Sequence, residues 1–205
     1  RRGTSTRPCT RAAAWLARAD LFAAERETMK RISAWVAALF LSTGTVVLAQ
    51  GQPHVHGVAR LDVAVEAGQV VLQFETPLDS LLGFERAPRG ADETRRAEQA
   101  IAALKAADAL FRFTPAAGCT PARVDLSSAA LKLGSPDPAE AHEGHADLDA
   151  TYVFQCVDAA KAAEVDVGLF EAFSRLQGLK VEVVTARGQF KRDLKRPAKR
   201  VSLAR

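Results

Sequence analysis

Residues 58–77 read VARLDVAVEAGQVVLQFETP, and this stretch decides the fold class. Apolar and polar residues alternate over 58–65 and again over 70–76, which is the pattern of strands that bury one face. Ala-Gly at 67–68 separates the two runs and favours a tight turn. The stretch therefore predicts a β-hairpin, whose second strand ends at Pro77 because proline donates no ladder hydrogen bond.

Strand and helix patterns alternate along the rest of the chain. The spacing of apolar residues predicts an amphipathic helix from Asp92, its expected cap, to Ala107. The other predicted elements are strands at 110–113, 123–133, 151–157 and 179–186, a short helix at 170–176, an edge pairing at 201–203 and a loop at 134–150. This order predicts a single α+β domain with a largely antiparallel sheet, two or three helices and a long acidic loop that contains histidine.

Charge is unevenly distributed along the 205 residues. Residues 1–49 hold eight Lys/Arg and three Asp/Glu, whereas residues 50–186 carry a net charge of about −8. From Arg187 onward there are eight basic residues and one acidic residue, which predicts a basic tail. A nucleic-acid-binding protein needs a basic face over its folded part, so nucleic acid is not an expected partner.

A secretory signal is indicated at residues 29–49. Met29 is followed by Lys30-Arg31 and by the apolar run ISAWVAALFL, and Val47-Leu48-Ala49 offers small or modest side chains for a signal peptidase. Cleavage is expected after Ala49. An uncleaved membrane anchor is an alternative, since the apolar run is close to the length that spans a bilayer.

Cleavage would leave residues 50–205 as a periplasmic domain without a stable membrane span. Residues 1–28 are then an upstream extension that is not in the native protein, although their Arg/Ala-rich composition also resembles a transit peptide. No later stretch is apolar enough to cross a membrane.

Export changes the interpretation of the cysteines. Residues 50–205 contain only Cys119 and Cys156, and an even pair in an oxidising compartment favours one disulfide. Such a bond would stabilise the fold by about 4 kcal/mol in the chain-entropy model. The alternative is a pair of thiolate zinc ligands, although the residues are far apart and neither belongs to a CxxC pair.

All four histidines lie in two short clusters, His54 and His56 in PHVHG and His142 and His145 in AHEGH. Residues i and i+2 of an extended chain point to the same side, so the first pair can present two imidazoles to one ion. Residues i and i+3 of a loop or helical turn can also converge. The two clusters are therefore candidate metal ligands.

Zinc is the metal that this donor set suits best. Four imidazoles, or three with Glu143 or Asp147, match the tetrahedral nitrogen and oxygen ligands of Zn²⁺. A square-planar amino-terminal copper or nickel chelate needs histidine at position three, whereas His54 would be at position five after cleavage. Residues 50–205 contain no methionine, which argues against a thioether site for Cu(I).

Several motifs carry a resemblance to a known family. In order, they are HVHG (54–57), LLGFERAP (81–88), AGC (117–119), an acidic segment with histidine (134–149) and TYVFQC (151–156). Together they resemble the zinc-regulated periplasmic proteins of the ZrgA type over most of residues 54–194. The resemblance implies zinc binding and assistance to zinc import, in partnership with a zinc ABC transporter or its solute-binding protein. It assigns the histidines of HVHG and of the acidic segment as ligands.

The sequence departs from the family pattern at two points. Its acidic segment has two histidines where many members have runs of them, and Arg86 follows GFE where histidine is usual. Both departures favour a single zinc site over high-capacity storage. The Gly83-Phe84-Glu85 segment is interpreted as a structural turn with a buried phenylalanine rather than a catalytic carboxylate.

The leading prediction is a non-enzymatic zinc-binding accessory protein of the periplasm. One alternative is a structural or interaction module whose histidines are incidental. Another is a zinc hydrolase with Glu143 as its general base, although no catalytic signature accompanies that residue.

Overall fold

The computed structural model describes residues 55–135 and 146–204. Every described residue belongs to one compact unit, Gln52–Arg205. The predicted signal peptide at 29–49 and the extension before it therefore lie outside the described residues.

The described residues form two sheets. Their strands are β1 (Val58–Glu66), β2 (Gln69–Pro77), β3 (Phe111–Phe113), β4 (Cys119–Ser127), β5 (Asp147–Cys156), β6 (Glu164–Val167), β7 (Gly178–Thr185), β8 (Gly188–Lys195) and β9 (Arg200–Ser202). The larger sheet has the order β4-β5-β2-β1-β7-β8, and the smaller sheet has the order β3-β6-β9. All neighbouring strands are antiparallel except β1 and β7. The predicted mixed domain with a largely antiparallel sheet is confirmed.

The predicted hairpin is formed by β1 and β2, which pair from Arg60–Glu75 to Glu66–Gln69. Its alternating apolar residues lie on one face, where Leu61, Val63, Leu72 and Phe74 are each no more than 1% exposed. Burying a side chain of this size stabilises a fold by about 1.5–3 kcal/mol, so this face forms a large part of the core.

Four α-helices are present in the described part, one more than the upper end of the prediction. They are α1 (Leu78–Leu82), α2 (Gly90–Lys105), α3 (Ala107–Leu110) and α4 (Leu169–Ala172). Two of them, α1 and α3, have no counterpart among the two helices located from the sequence. Helix α3 is separate from α2 because Ala106, with φ −82° and ψ 63°, leaves the helical conformation. None of the described helices is long and apolar enough to cross a bilayer.

Helix α2 begins earlier than predicted, so Asp92 is not its cap. The N-cap residue is Arg89, whose side chain makes no capping hydrogen bond. Instead, the Glu93 carboxylate accepts a hydrogen bond of 2.6 Å from the Arg89 main-chain N–H. The bond is similar to the glutamate half of a capping box, but it comes from the fourth helical residue rather than the third, and it satisfies a donor at the helix start.

Strand β5 begins within the segment that was predicted to be a loop. Residues 147–150 belong to the strand, and Asp147 and Asp149 lie opposite Pro77 and Glu75 of β2. The loop prediction is wrong here because Leu148 and Ala150 continue the buried face, although the acidic composition suggested a loop. Residues 136–145 lie outside the described residues.

Strand β4 is displaced from its predicted position at 123–133. It spans Cys119–Ser127, and residues 128–133 form a turn that is closed by a bridge between Ser128 and Leu133. The turn includes Lys132 with a positive φ of 54°, which is incompatible with a continuing strand.

The basic C-terminal segment is part of the folded domain. Strand β8 pairs with β7 along its whole length, and β9 pairs with β6. Between them, the Arg196 guanidinium donates hydrogen bonds to the main-chain oxygens of Leu176, at 2.8 Å, and Phe173, at 2.9 Å, and also to that of Phe170. These bonds connect the segment to the end of α4.

The predicted disulfide joins Cys119 and Cys156, whose Cα atoms are 3.9 Å apart. The two residues are partners in the register of β4 and β5. The cysteines are therefore not a pair of free thiolates, and the disulfide prediction is confirmed.

Candidate metal centre

The structure describes only part of the predicted ligand set. His56 and Asp147 lie among the described residues. The predicted ligands outside them are His54, His142, Glu143 and His145.

The glycine of HVHG holds the main chain next to His56 in place. Gly57 N–H donates to Ser80 Oγ at 3.0 Å, and Gly57 O accepts from Gln177 N–H at 2.7 Å and Gly178 N–H at 3.0 Å. Its φ is +76°, and a Cβ at this position would lie 3.3 Å from the Arg175 main-chain oxygen. Glycine suits this buried position because it adopts the left-handed conformation without a Cβ penalty.

The His56 imidazole lies between two carboxylates. Its Nε2 is 3.0 Å from Glu85 Oε1, and its Nδ1 is 3.6 Å from Asp79 Oδ2. The His56 side chain is 63% exposed, the Glu85 side chain 36% and the Asp79 side chain 21%. The ring is thus accessible to an ion from solvent, while Asp79 is more buried than His56 and Glu85.

Asp79 lies in the first turn of α1 and is contacted by Arg175. Arg175 Nε donates to Asp79 O at 3.1 Å, and Arg175 Nη2 is 3.7 Å from Asp79 Oδ1. Gly83 ends the helix with φ +84°, and a Cβ there would lie 2.9 Å from Arg175 Cζ. The Arg175 guanidinium can lie beside α1 because Gly83 has no side chain.

Glu85 follows this turn, in a segment that is connected to α2. The Phe84 ring, which is half-buried, has the guanidinium carbons of Arg86 and Arg96 5.0 and 5.7 Å from its centroid. Arg86 also donates two hydrogen bonds to the Glu93 carboxylate, at 2.6 and 2.9 Å. Arg86 is therefore engaged with α2, whereas Glu85 contacts His56.

The end of the acidic segment meets the same short helix. Ala146 O accepts a hydrogen bond of 2.9 Å from the N–H of Leu78, the first residue of α1. Gly57 donates to Ser80, two residues further along that helix. Both histidine clusters are thus adjacent in sequence to residues that hydrogen-bond to α1.

The described residues do not by themselves form a metal site. Across 55–135 and 146–204, no group of three or more His, Cys, Asp or Glu side chains is arranged to hold a metal ion. The reason at His56 is that Asp79 and Glu85 lie at opposite ring nitrogens and do not converge on one point. The pair of His56 Nε2 and Glu85 Oε1 nevertheless combines the nitrogen and oxygen donors that zinc accepts.

Asp79 and Glu85 are the residues that sequence reasoning missed. Glu85 was interpreted as part of a structural turn, and Asp79 received no role. Neither has a spacing from the histidines that marks a metal motif. The β1–β2 hairpin brings the start of α1, with Asp79, beside the start of β1, and the turn after α1 then brings Glu85 to His56. The sequence feature that could have indicated Glu85 is the LLGFERAP motif, which contains it and which contributed to the family resemblance.

Comparison with curated proteins gives no match. A family model described as "ZrgA family zinc uptake protein" matches residues 53–203, which is most of the chain. The matched range contains both histidine clusters, α1 and the two bonded cysteines. The chain therefore belongs to the ZrgA family of zinc uptake proteins.

Proposed function

We propose that this protein is a non-enzymatic, zinc-binding accessory protein of the periplasm that assists zinc acquisition and passes zinc to an ABC importer. Membership of a zinc uptake family supports the choice of metal. The observation that carries the proposal is the position of α1, which hydrogen-bonds to Gly57, next to His56, and to Ala146, next to His145.

The proposed site takes one zinc ion from both histidine clusters. A chain extends by at most about 3.6 Å per residue, so a histidine directly before Ala146 starts close to α1. His56 starts there as well, because Gly57 is held by Ser80. The proposed ligands are His54, His56, His142 and His145, with Glu143 or Asp147 as an alternative to one of them.

A periplasmic location is supported by the disulfide between Cys119 and Cys156. Structural disulfides persist in oxidising compartments and are rare in the bacterial cytosol. The signal sequence proposed at residues 29–49 would deliver the protein to that compartment.

Zinc binding is tested by equilibrium dialysis of the purified protein. About one bound ion per chain is expected, and replacement of all four histidines by alanine should abolish binding. Glu98→Gln, which removes an exposed carboxylate on α2, is the control and should bind normally. A wild-type protein that stays free of zinc, or a four-alanine variant with full binding, would refute the proposal and favour a module with incidental histidines.

Delivery is tested separately from binding. Zinc-loaded protein is mixed with the metal-free solute-binding protein of a zinc ABC importer, and transfer is followed by the recipient's tryptophan fluorescence. Transfer should be faster than from a small chelator that buffers the same free zinc concentration. An equal rate would mean that the protein buffers zinc without passing it on by direct contact.

A further inference from the structure

We propose that Glu85 is a direct zinc ligand beside His56, in place of one of the other three histidines, and that Asp79 is a positioning residue that holds the His56 ring from its other nitrogen. The inference rests on the proposed zinc-binding function and adds to it two residues that no histidine motif contains. It concerns only residues that the structure describes.

The separation of His56 and Glu85 suits two ligands of one ion. Tetrahedral zinc with bonds of about 2.0–2.2 Å places neighbouring ligand atoms about 3.3–3.6 Å apart. The atoms Nε2 and Oε1 are already 3.0 Å apart, so an ion beside them requires a shift of only a few tenths of an ångström. Both side chains are exposed enough for an ion to approach, at 63% and 36%.

Asp79 lies where zinc sites place the residue that orients a histidine. A metal-bound histidine usually donates its second ring N–H to a carboxylate or carbonyl, which determines the tautomer and the ring orientation. Asp79 Oδ2 is 3.6 Å from His56 Nδ1, so a small ring rotation brings it to hydrogen-bonding distance. Arg175 contacts both the main chain and the carboxylate of Asp79 and limits its movement.

A purely structural role explains this arrangement less well. An ion pair between exposed side chains contributes little to stability, so His56 and Glu85 gain little from their contact alone. The residues on either side of Glu85 are occupied elsewhere: Phe84 contacts Arg96, and Arg86 pairs with Glu93. The local fold therefore presents Glu85 to the imidazole while its neighbours maintain the turn.

The test uses Glu85→Gln and Asp79→Asn in the full chain, with Glu98→Gln as the matched control. Zinc affinity is measured by competition with a chromophoric chelator, and Co²⁺ absorption reports the ligand set. We expect Glu85→Gln to lose at least about tenfold in affinity and to change the Co²⁺ spectrum. Asp79→Asn should lose about 10–100-fold, the usual effect of removing such a partner, with an unchanged spectral shape. Unchanged thermal unfolding of the metal-free variants would exclude misfolding.

The outcomes separate this inference from the proposed function. One outcome is that Glu85→Gln lowers zinc affinity by less than about tenfold, while the variant with all four histidines replaced by alanine binds no zinc. Glu85 is then not a ligand, and the zinc-binding function stands. If the histidine variant also keeps full affinity, both proposals fail. An unchanged affinity of Asp79→Asn would overturn its positioning role alone.

Discussion

Gly57 determines where the His56 main chain lies. Three hydrogen bonds hold its peptide groups, and its φ of +76° is one that L-residues adopt at a cost of about 1–2 kcal/mol. Gly68 has a similar φ of +79°, but nothing lies within 4 Å of a Cβ placed there. The two glycines thus share their backbone conformation and differ in their surroundings.

This difference gives a matched pair of variants, Gly57→Ala and Gly68→Ala. Both should lower the free energy of unfolding by about 1–2 kcal/mol because of the left-handed backbone. Only Gly57→Ala should also weaken zinc binding, since its methyl group meets the Arg175 main chain beside His56. Urea unfolding and a zinc titration of each variant check this, and equal zinc affinities would contradict it.

Tyr152 is the largest of the fully buried side chains, and its hydroxyl has no hydrogen-bond partner among the described residues. Burial raises the pKa of the Tyr152 phenol above its ordinary value. The ring itself packs edge-on against Phe111, with centroids 4.9 Å apart. The aromatic ring of Tyr152, rather than its hydroxyl, therefore makes the contacts that stabilise this part of the core.

Tyr152→Phe should leave the free energy of unfolding unchanged or raise it by about 1 kcal/mol. The substitution removes a buried polar group that lacks a partner and keeps the aromatic packing. Chemical denaturation measures the change, and Phe74→Leu is a control that must destabilise because it removes buried ring volume. A loss of stability in Tyr152→Phe would show that the hydroxyl has a partner.

At the scale of elements, α1 and the start of α2 position the candidate site. Helix α1 carries Asp79 and hydrogen-bonds to Gly57 and Ala146. Glu93, in the first turn of α2, holds Arg86 and the Arg89 N–H. The segment that contains Glu85 thus lies between two helices that each have defined contacts.

Glu93 makes the stability of this arrangement depend on pH. The Arg86 hydrogen bond, followed by that from the Arg89 main chain, lowers the pKa of Glu93 from 4.5 to about 2. Because the folded-state pKa is the lower one, the stabilisation is fully present above about pH 5 and is lost as the pH falls through about 2. Glu93→Gln should therefore destabilise the protein at pH 6, and the difference from wild type should shrink towards pH 2.

Urea unfolding at several pH values measures this difference. Glu98→Gln removes a carboxylate from the same helix without touching Arg86 and is the control. A difference between wild type and Glu93→Gln that stays constant from pH 6 to pH 2 would show that the Arg86 contact does not lower the pKa of Glu93.

At the scale of the whole molecule, the six-stranded sheet brings distant parts of the chain together. The parallel pairing of β1 with β7 places Gly178 beside Val58, so the segment with Arg175 reaches α1. The pairing of β2 with β5 places Asp147 opposite Pro77, directly before α1. The candidate site therefore depends on two long-range strand pairings.

The disulfide connects β4 and β5 on either side of the acidic segment, across 37 residues. Replacing Cys119 and Cys156 together by serine should lower the free energy of unfolding by about 4 kcal/mol in the chain-entropy model. The variant should still bind about one zinc ion, because no sulfur ligand is proposed. Thermal unfolding and a zinc titration measure both effects, and loss of zinc from a folded variant would contradict the proposed ligand set.

Some features were open to prediction because they depend on near neighbours in sequence. The alternation over residues 58–77 specifies a hairpin and its buried face whatever the rest of the chain does. The disulfide followed from the even number of cysteines in residues 50–205 and from the oxidising compartment that was predicted for them. The prediction from local sequence was wrong at Asp147. Its acidic neighbours suggested a loop, although this residue begins β5.

The sequence by itself determined the hairpin, the main helix, the disulfide and the family to which the chain belongs. Only the tertiary structure decided that Glu85 lies against His56 and that Gly57 and Ala146 meet the same helix. The physical reason is that a strand and its buried face depend on the alternation of apolar and polar residues that are neighbours in sequence. Contacts between distant residues depend instead on which strands pair and where the chain reverses, and no local spacing records that.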